Sequence, residues 1–336
     1  MKETTSVQVE TVSPTPEKPT FLGRFKAHLQ IMRLDHSIKN IFVIPGIVVP
    51  LSVLRTPLLS PVLVWHILIG FLATTLIACS NYVINEVLDA PFDRLHPIKR
   101  TRPAALGLVS VPIAYAQWIL MMIVGIALAH MISHPFTYAA GALWIMGCIY
   151  NISPCRTKDR VYLDVLSESV NNPLRMILGW YMVTSTLIPP ASLLICYWMA
   201  GCYLMALKRF SEYREIGDAQ IAGAYRKSFC YYTEISLLTS VTFYASAAML
   251  FFGAFIMRYR IELILVFPLV ALLMSTYFQL AFKPNSAVQN PEKLYREPFL
   301  MAEAVLISMS MIALLYFDIP VLGQIFSPTL PSVLGH

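Results

Sequence analysis

Nine long apolar segments dominate this chain and restrict the environment in which it can fold. They lie near residues 38 to 54, 62 to 84, 109 to 130, 134 to 151, 162 to 184, 187 to 207, 231 to 256, 262 to 282 and 299 to 317. Each is close to the roughly 20 residues with which a helix crosses a hydrocarbon core of about 30 Å. No alternation of period two runs through them, which excludes a closed transmembrane sheet. The sequence therefore predicts an all-α polytopic membrane protein with nine transmembrane helices.

The composition supports the same class of protein. The chain has 336 residues, of which 57% are hydrophobic and 13% charged, and its mean hydropathy is +0.63. A soluble domain cannot bury that much apolar surface. Residues 1–20 are polar and contain no apolar core of the kind a signal peptide needs, so we expect a disordered cytoplasmic tail there. We expect the transmembrane domain over residues 21–320 and a short carboxyl-terminal tail over residues 321–336.

The Lys and Arg residues fall almost entirely on one side of the nine segments. Of the 25 present, 21 lie in the amino-terminal tail or in the connections after the second, fourth, sixth and eighth segments. The positive-inside rule places those regions in the cytoplasm and the carboxyl terminus outside. The net charge of +6 then reflects topology and phosphate binding. A nucleic-acid partner is excluded, because no soluble basic module exists to bind one.

A ladder of carboxylates lies at the end of the second apolar segment. Asn85 is followed by Glu86, Asp89 and Asp93, and spacings of three and four place these carboxylates on one helix face. Carboxylates that converge in this way can bind a hard divalent cation such as Mg²⁺. The cationic residues that follow are His96, Lys99, Arg100 and Arg102. They can hold phosphate oxygens that the metal does not reach, so the pattern predicts a metal-bridged diphosphate site at a membrane surface.

A second polar cluster follows the fourth apolar segment. Asp164, Glu168, Asn171 and Arg175 step by four, three and four residues, which stacks them on one face of the fifth helix. Ionisable residues inside a membrane usually mark a functional cavity. The alternative is a buried structural network in which Arg175 neutralises Glu168. The connection before this helix adds Arg156, Lys158, Asp159 and Arg160.

Two further cationic pairs lie at segment boundaries. Lys208 and Arg209 follow the sixth segment, where they could bind phosphate or simply form a salt-bridged helix end with Glu212. Lys39 and Asn40 begin the first segment, where Lys39 could bind substrate or snorkel to the interface. The six cysteines include no Cys-x-x-Cys pair, and we expect them to pack as small buried hydrophobic residues.

The segment Asn85-Glu86-x-x-Asp89-x-x-x-Asp93 resembles the Asn-Asp-x-x-Asp-x-x-x-Asp motif of the UbiA superfamily of intramembrane prenyltransferases. Glu86 departs from the usual Asp, which keeps the charge and moves it outward by one methylene. The resemblance implies a nine-helix bundle around a central cavity open to the cytoplasmic side. It also implies a second acidic motif after the fourth helix. Asp164 and Glu168 occupy the positions of that motif in this sequence.

The run from Asp93 to Pro103 narrows this resemblance to one branch. It is similar to the D-R-x-H-P-x-K-x-x-R-P run of decaprenyl-phosphate phosphoribosyltransferases, and the pairs Lys39-Asn40 and Lys208-Arg209 are similar to that branch as well. The segment 167–173 retains a carboxylate and amides that the branch does not require. The donor and the acceptor therefore stay open at this point.

The resemblance implies a magnesium-dependent transferase that acts on an isoprenoid lipid in a bacterial inner membrane, with its active site on the cytoplasmic side. The favoured reaction moves a phosphoribosyl group from phosphoribosyl diphosphate to a polyprenyl phosphate. One alternative moves a prenyl chain from an allylic diphosphate to an aromatic or other small acceptor, and another class is a secondary transporter. The implied metal ligands are Glu86, Asp89, Asp93, Asp164 and Glu168, and Asp89, Asp93 and Asp164 are the implied catalytic residues. The implied substrate-binding residues are Lys39, Asn40, Asn85, His96, Lys99, Arg100, Arg102, Arg156, Lys158, Asn171, Arg175, Lys208 and Arg209.

Overall fold

A computed structural model of the chain describes residues 20–54, 60–94 and 99–327. The regular structure within those ranges is helical. Its α-helices are α1 (Phe21–Gln30), α2 (Ile44–Leu54), α3 (Pro61–Asp93), α4 (Val111–His130), α5 (His134–Asn151), α6 (Leu163–Ser169), α7 (Asn171–Val183), α8 (Ala191–Ile216), α9 (Ala219–Tyr225), α10 (Glu234–Tyr259), α11 (Phe267–Leu280), α12 (Pro298–Tyr316) and α13 (Pro320–Ile325). A 3₁₀ helix, Leu34–Val43, joins α1 to α2, and another, Ile261–Val266, leads into α11. The predicted amino-terminal tail and residues 328–336 lie outside the described ranges, and α13 falls within the predicted carboxyl-terminal tail.

Seven helical segments of the described residues are long and apolar enough to cross a membrane. They are Phe21–Leu54, Pro61–Asp93, Val111–His130, Ala191–Ile216, Glu234–Tyr259, Ile261–Leu280 and Pro298–Tyr316. The other two predicted spans correspond to α5 and to the pair α6 and α7. Polar residues end α5, and charged residues interrupt α6 and α7, so both fall short of the same criterion. The chain is thus an integral membrane protein, and the count of nine spans stays a prediction.

The fifth predicted span is not one continuous helix. Helix α6 ends at Ser169 and α7 begins at Asn171. Pro173 has no amide hydrogen, so it cannot form the helical hydrogen bond to the carbonyl of Ser169. The Asn171 side chain instead donates from Nδ2 to the carbonyl of Glu168 at 3.0 Å. The break separates the two halves of the polar cluster that the sequence places on one helix.

Helix α3 positions the first carboxylate ladder. Its 33 residues span roughly 50 Å, which exceeds a hydrocarbon core of about 30 Å. The helix begins with Ser60, whose hydroxyl accepts from the amide of Leu63, and it continues through Pro91 to Asp93. The last turns of α3 can therefore stand beyond the apolar layer while remaining part of a packed helix. Because those turns belong to a packed helix, the direction of each side chain on them is fixed.

Two glycines bring α2 and α7 into close contact. A Cβ atom at Gly46 would lie 1.9 Å from the carbonyl oxygen of Met176, and one at Gly179 would lie 2.1 Å from the carbonyl oxygen of Val43. Only glycine allows backbones this near to each other. The close approach fixes the 3₁₀ helix Leu34–Val43, which carries Lys39 and Asn40, against α7. A second core forms where Leu207 and Phe210 of α8 pack with Leu237 of α10.

Candidate active site

Three side chains on the last turns of α3 face neighbouring segments. Asp89 and Asp93 lie one turn apart, and Asn85 lies one turn before Asp89. The Nδ2 atom of Asn85 donates to Oδ1 of Asn151, at the end of α5, over 2.5 Å. Asp93 is 6% exposed. The ladder predicted from the sequence is therefore present on α3, close to the end of α5.

Asp89 is held by two cations from the connection after α5. Its Oδ1 atom accepts from Nζ of Lys158 at 2.5 Å and from Nη2 of Arg156 at 3.1 Å. Lys158 also donates to Oδ1 of Asn151 at 2.9 Å. Arg156 donates from Nε to Asp159 at 2.9 Å. The backbone of Arg156 has a φ of 29°, a conformation that a non-glycine residue adopts at some cost. These contacts hold the connection after α5 in place, so that Arg156 and Lys158 both contact Asp89.

Asp93 is paired with a cation from the loop that follows α3. Nη1 of Arg102 donates to Oδ2 of Asp93 at 2.7 Å. Lys99 and Arg100 lie in a short 3₁₀ turn, Lys99–Thr101, where Arg100 is exposed. Burial lowers the pKa of Lys99 to about 8, against the opposing effect of the Glu212 carboxylate. Lys99 therefore lies near both α8 and the α3 loop, whereas predicted residue His96 lies outside the described residues.

Lys158 has a lowered pKa for the same physical reason. Burial removes water from its ammonium group and lowers the pKa to about 8, although the charge of Asp89 opposes the shift. Arg156 and Arg226 lower the pKa further through like-charge repulsion. An anion that entered this cluster would relieve the repulsion. The cluster is therefore suited to bind a multiply charged phosphate group.

Glu86 differs from the other carboxylates of the ladder. It is 2% exposed, and its Oε1 atom is buried without a hydrogen-bond partner in the described part of the chain. A buried carboxylate oxygen without a partner is costly unless a proton or another group satisfies it. Glu86 therefore offers an oxygen to a cation that would enter beside α3.

The second polar cluster lies against the same helix face, nearer the membrane. Lys39 lies 3.7 Å from Glu168, between Nζ and Oε1, and 5.9 Å from the ring centre of Tyr82 on α3. Tyr82 and Asp89 are seven residues apart, which is two turns on one face and roughly 10 Å along the axis. Lys39, with Glu168 beside it, therefore lies along the same face of α3 as Asp89.

Arg175 lies deeper in the same group. It is 5% exposed, and its described hydrogen bonds go to neutral oxygens: Nε donates to Oδ1 of Asn40 at 3.3 Å and Nη1 to the carbonyl of Asn171 at 3.4 Å. Asn40 in turn donates to Thr75 of α3 at 2.9 Å. Glu168 pairs with Lys39, and the alternative in which Arg175 neutralises Glu168 has no ion pair among the described contacts. A buried guanidinium with neutral partners is poised to bind an anion.

Asp164 does not join the ladder on α3. It has no exposed surface, and its oxygens accept from Tyr232 at 2.7 Å, from Ser228 at 3.2 Å and from Arg209 at 3.2 Å. Asp164 and Glu168 lie one turn apart on α6, yet Asp164 contacts Arg209 and Tyr232 while Glu168 contacts Lys39. The expectation that Asp164, Glu168, Asn171 and Arg175 share one face stays a prediction.

The end of α8 contributes residues that the sequence left ambiguous. Arg209 donates to Glu212 at 2.9 Å as well as to Asp164, so it has the salt-bridged role considered above. Lys208 is half-buried. Sequence reasoning missed Asn151 and Arg226 as site residues, although an amide at the end of an apolar segment was a signal for Asn151. Arg226 is close enough to Lys99 and Lys158 to affect their pKa values.

The carboxylates do not form a metal cage by themselves. Within the described ranges, no three His, Cys, Asp or Glu side chains come together in a way that could hold a metal ion. Mg²⁺ is usually bound by one or two carboxylates together with substrate phosphates, so a cage is not required. Glu86 has a free buried oxygen, and Asp89 and Asp93 hold cations that phosphate could bind instead. One or two of these carboxylates, completed by diphosphate oxygens, fit a Mg²⁺ ion that arrives with a diphosphate.

The fold and the site together define a class of protein: an integral membrane protein whose regular structure is helical in the described residues, with carboxylates paired to cations at the end of a long span. The chain belongs to the UbiA prenyltransferase family, whose family model matches residues 42–302. Membership in this family supports a transferase and not the secondary transporter considered above.

Known proteins of several kinds are similar to the chain. The protein y4nM of Sinorhizobium fredii is 30% identical over 183 residues, which cover 52% of this chain and 31% of that protein. A decaprenyl-phosphate phosphoribosyltransferase of Mycobacterium tuberculosis is 28% identical over 186 residues, 55% of this chain and 59% of that protein. Protoheme IX farnesyltransferase 2 of Vibrio parahaemolyticus is 24% identical over 146 residues, 42% and 50% of the two chains. The chain thus spans between 31% and 59% of the length of these relatives.

Solved structures share the fold. A UbiA homolog from Archaeoglobus fulgidus bound to GPP and Mg²⁺ superposes with a TM-score of 0.64 at 21% identity, over 84% of this chain and 99% of that one. A structure of digeranylgeranylglyceryl phosphate synthase superposes with a TM-score of 0.60 at 15% identity, over 87% and 99%. At these identities the likeness shows the fold alone.

Proposed function

We propose that the chain is a magnesium-dependent transferase that moves a phosphoribosyl group from phosphoribosyl diphosphate to a polyprenyl phosphate. The observation that carries this choice is the presence of cations at separate levels along α3. Arg156 and Lys158 meet Asp89, while Lys39 lies roughly 10 Å nearer the membrane, beside Tyr82. In this reaction both phosphoribosyl diphosphate and polyprenyl phosphate carry phosphate groups. The protein therefore needs an anion site in addition to the one that holds the leaving diphosphate. The relative named as a decaprenyl-phosphate phosphoribosyltransferase supports the same choice.

The ion pairs of the site can exchange partners when the donor binds. Asp89 and Asp93 would turn from their cations to a metal ion, while Lys158, Arg156 and Arg102 would turn to phosphate oxygens. Every charge keeps an opposite charge beside it during this exchange, which limits the cost of moving buried ions. Charge-assisted hydrogen bonds from two arginines also fix the orientation of the diphosphate.

The reaction breaks the bond between the anomeric carbon and the diphosphate oxygen. The leaving diphosphate takes the electron pair, and an oxygen of the lipid phosphate bonds to the same carbon. Mg²⁺ bound by Glu86, Asp89 and Asp93 would supply Lewis-acid neutralisation of the leaving group. Lys99, Lys158 and Arg156 hold the negative charge that builds on the diphosphate oxygens. Lys39, Asn40 and Arg175 bind the second phosphate.

The remaining predicted residues receive narrower roles. Asn85 orients Asn151, which orients Lys158. Asn171 holds the junction of α6 and α7 beside Arg175. Arg100, His96 and Lys208 supply charge at the mouth of the site. We place Asp164 and Arg209 in a supporting network, with Glu168 as the partner of Lys39 in place of a metal ligand. The setting is a nine-span bundle in a bacterial inner membrane with its site on the cytoplasmic side.

A second candidate is the transfer of a prenyl chain from an allylic diphosphate to an aromatic or other small acceptor. Relatives named as protoheme IX farnesyltransferases favour it, since they match this chain at identities close to that of the phosphoribosyltransferase. The residues on α3 serve both reactions, because each releases a diphosphate. Lys39, which lies beside Tyr82, and Arg175, which donates to Asn40, have a use mainly in the first reaction.

Diphosphate release by the purified protein separates the two candidates. Phosphoribosyl diphosphate is supplied with Mg²⁺, with and without polyprenyl phosphate, and geranyl diphosphate is supplied with Mg²⁺, with and without a phenolic acceptor. We expect release from phosphoribosyl diphosphate that requires the lipid phosphate, and none from an Asp89→Asn variant. Release from geranyl diphosphate alone would replace the proposal with the second candidate, and release from neither donor would contradict both.

A further inference from the structure

A cleft beside Arg156 has no role in the reaction described above. Its volume is about 370 Å³, within the range of ligand pockets, roughly 300 to 1,000 Å³. It is formed mainly by the connection after α5, with contributions from the end of α3 and from the 3₁₀ turn that follows α9. The lining residues are Phe92, Ser153, Pro154, Cys155, Arg156, Asp159, Arg160 and Lys227.

The lining of the cleft favours an anion. Arg156, Arg160 and Lys227 bring three positive charges, and Asp159 brings one negative charge, which Arg156 already pairs with at 2.9 Å. Arg160 and Lys227 are exposed at the mouth. The Arg160 guanidinium donates to the carbonyl of Pro154 at 3.4 Å, which keeps it beside the cleft. An excess of cations around a concave surface concentrates multiply charged anions.

Arg156 connects this cleft to the carboxylate ladder. Its guanidinium lines the cleft and also donates to Asp89 at 3.1 Å. It lies 5.2 Å from the ring centre of Phe92, a second residue of the lining. A third contact, from Nη1 to the carbonyl of Asn151 at 3.1 Å, fixes the side chain in this place. The Arg156 guanidinium therefore belongs both to the site at the carboxylate ladder and to the cleft.

We propose that the cleft is an exit site that binds inorganic diphosphate after it leaves Asp89, through Arg156, Arg160 and Lys227. The inference rests on the proposed function, which produces diphosphate beside Arg156. The diphosphate can move from one site to the other while it stays bound to the Arg156 guanidinium. It therefore keeps a cationic partner until it reaches solvent. Binding of diphosphate in the cleft needs no metal ion, because Asp159 is the one carboxylate residue among the described residues of the lining.

Cys155 reports on this cleft directly. Its thiol is exposed and belongs to the lining. The other cysteines outside the buried set are Cys148 and Cys230, so a Cys148→Ser, Cys230→Ser background leaves Cys155 as the reactive thiol. The rate of N-ethylmaleimide alkylation is measured on the full protein in neutral lipid, in EDTA, with and without inorganic diphosphate. Because neither donor nor Mg²⁺ is present, failure of the transferase proposal does not affect this measurement.

We expect diphosphate to slow the alkylation of Cys155 several-fold, and added salt to weaken the effect because exposed charges are screened. An Arg160→Gln, Lys227→Gln variant should lose the protection. A Lys283→Gln, Lys293→Gln variant, which removes the same charge from the connection between α11 and α12, should keep it. Equal rates with and without diphosphate would overturn the exit site. Protection that persists in the Arg160→Gln, Lys227→Gln variant would also overturn it, as would protection given by anionic lipid in place of diphosphate.

Discussion

At the scale of single residues, two buried aspartates have different kinds of partner. Asp89 accepts from Lys158 and Arg156, both of which can bind phosphate instead. Asp164 accepts from Tyr232, Ser228 and Arg209, and it has no exposed surface through which a substrate could reach it. The first arrangement suits a site that changes partners during a reaction. The second joins α6, α8 and the segment before α10 into one unit.

The role of Asp164 can be tested by an Asp164→Asn substitution. Removing one partner of a buried ion pair costs about 3–5 kcal/mol, and retention of the Arg209–Glu212 pair places this variant toward the lower value. We expect a clear fall in the thermal unfolding temperature in detergent, with the apparent affinity for Mg²⁺ unchanged. Asp35→Asn is the matched control, because the Asp35 side chain is 69% exposed. A large loss of Mg²⁺ affinity with normal stability would contradict the supporting role.

The lowered pKa values of two lysines predict how donor binding depends on pH. Lys99 and Lys158 each have a pKa of about 8 because burial disfavours their charged forms. Both are protonated below that value and lose their charge as the pH rises through it. We therefore expect KM for the donor to increase above pH 8, by up to about tenfold per pH unit for each lysine.

A Lys99→Arg variant provides the control for this pH dependence. Its guanidinium stays charged throughout the range, so one of the two titrations disappears. The plot of log KM against pH should then rise with about half the limiting slope of the parent protein. An unchanged slope would show that Lys99 does not hold the donor.

At the scale of elements, α3 acts as a straight support for the whole site. Thr75, Tyr82 and Asp89 lie seven residues apart on one face, and each contacts a different part of the site. The 3₁₀ helix that carries Lys39 and Asn40 reaches this face because Gly46 and Gly179 let α2 and α7 approach closely. Precise placement of Lys39 therefore depends on glycines that lie outside the site.

Gly46→Ala tests that dependence. The added methyl group would overlap the carbonyl oxygen of Met176, a backbone atom that cannot rotate away. We expect a loss of stability of about 1–3 kcal/mol or more, measured by thermal unfolding in detergent. Gly253→Ala is the matched control, since no atom lies within 4 Å of its new Cβ and α10 should gain slightly in helix propensity. Equal behaviour of the two variants would contradict the close packing of α2 and α7.

The sequence predicts some elements of this site well and others poorly. Apolar segments and the spacing of Asp89 and Asp93 are local patterns, so the end of α3 and its carboxylates are predictable. The partners of Asp164 are not, because Tyr232 and Arg209 are brought to it only by tertiary packing. The break between α6 and α7 had a local signal in Pro173, but the polar spacing across residues 164–175 outweighed it. Asn151 gained its role from contacts with Asn85 and Lys158, which no single segment reveals.

At the scale of the whole molecule, the contacts of Asp89 constrain the topology. Lys158 and Arg156 follow α5, yet they bind a carboxylate at the end of α3. We therefore predict that the chain between these points leaves and returns to one side of the membrane, with α4 and α5 crossing as a pair. A bundle in which α5 did not cross would separate the two groups by the thickness of the bilayer.

Thiol labelling from one side of the membrane tests this topology. In the Cys148→Ser, Cys230→Ser background, Cys155 should react with an impermeant maleimide from one side of the membrane. With Cys155→Ser added to that background, a cysteine introduced by Arg100→Cys should react from the same side. A cysteine introduced by Arg258→Cys, at the far end of α10, should react only from the opposite side. Labelling of Cys155 and of the Arg100→Cys variant from opposite sides would refute the pairing of α4 with α5.

The central claim is that a carboxylate ladder on α3 and the cations around it transfer a phosphoribosyl group to a membrane lipid. The most direct measurement supplies phosphoribosyl diphosphate labelled in the ribose, polyprenyl phosphate and Mg²⁺ to the purified protein in lipid, and follows the label into organic solvent. We predict lipid-soluble label that disappears in EDTA and in Asp89→Asn, and persists in Asp159→Asn, which removes the other carboxylate partner of Arg156. Label that stays in the aqueous phase, with an allylic diphosphate consumed when it is supplied in a parallel reaction, would contradict the account.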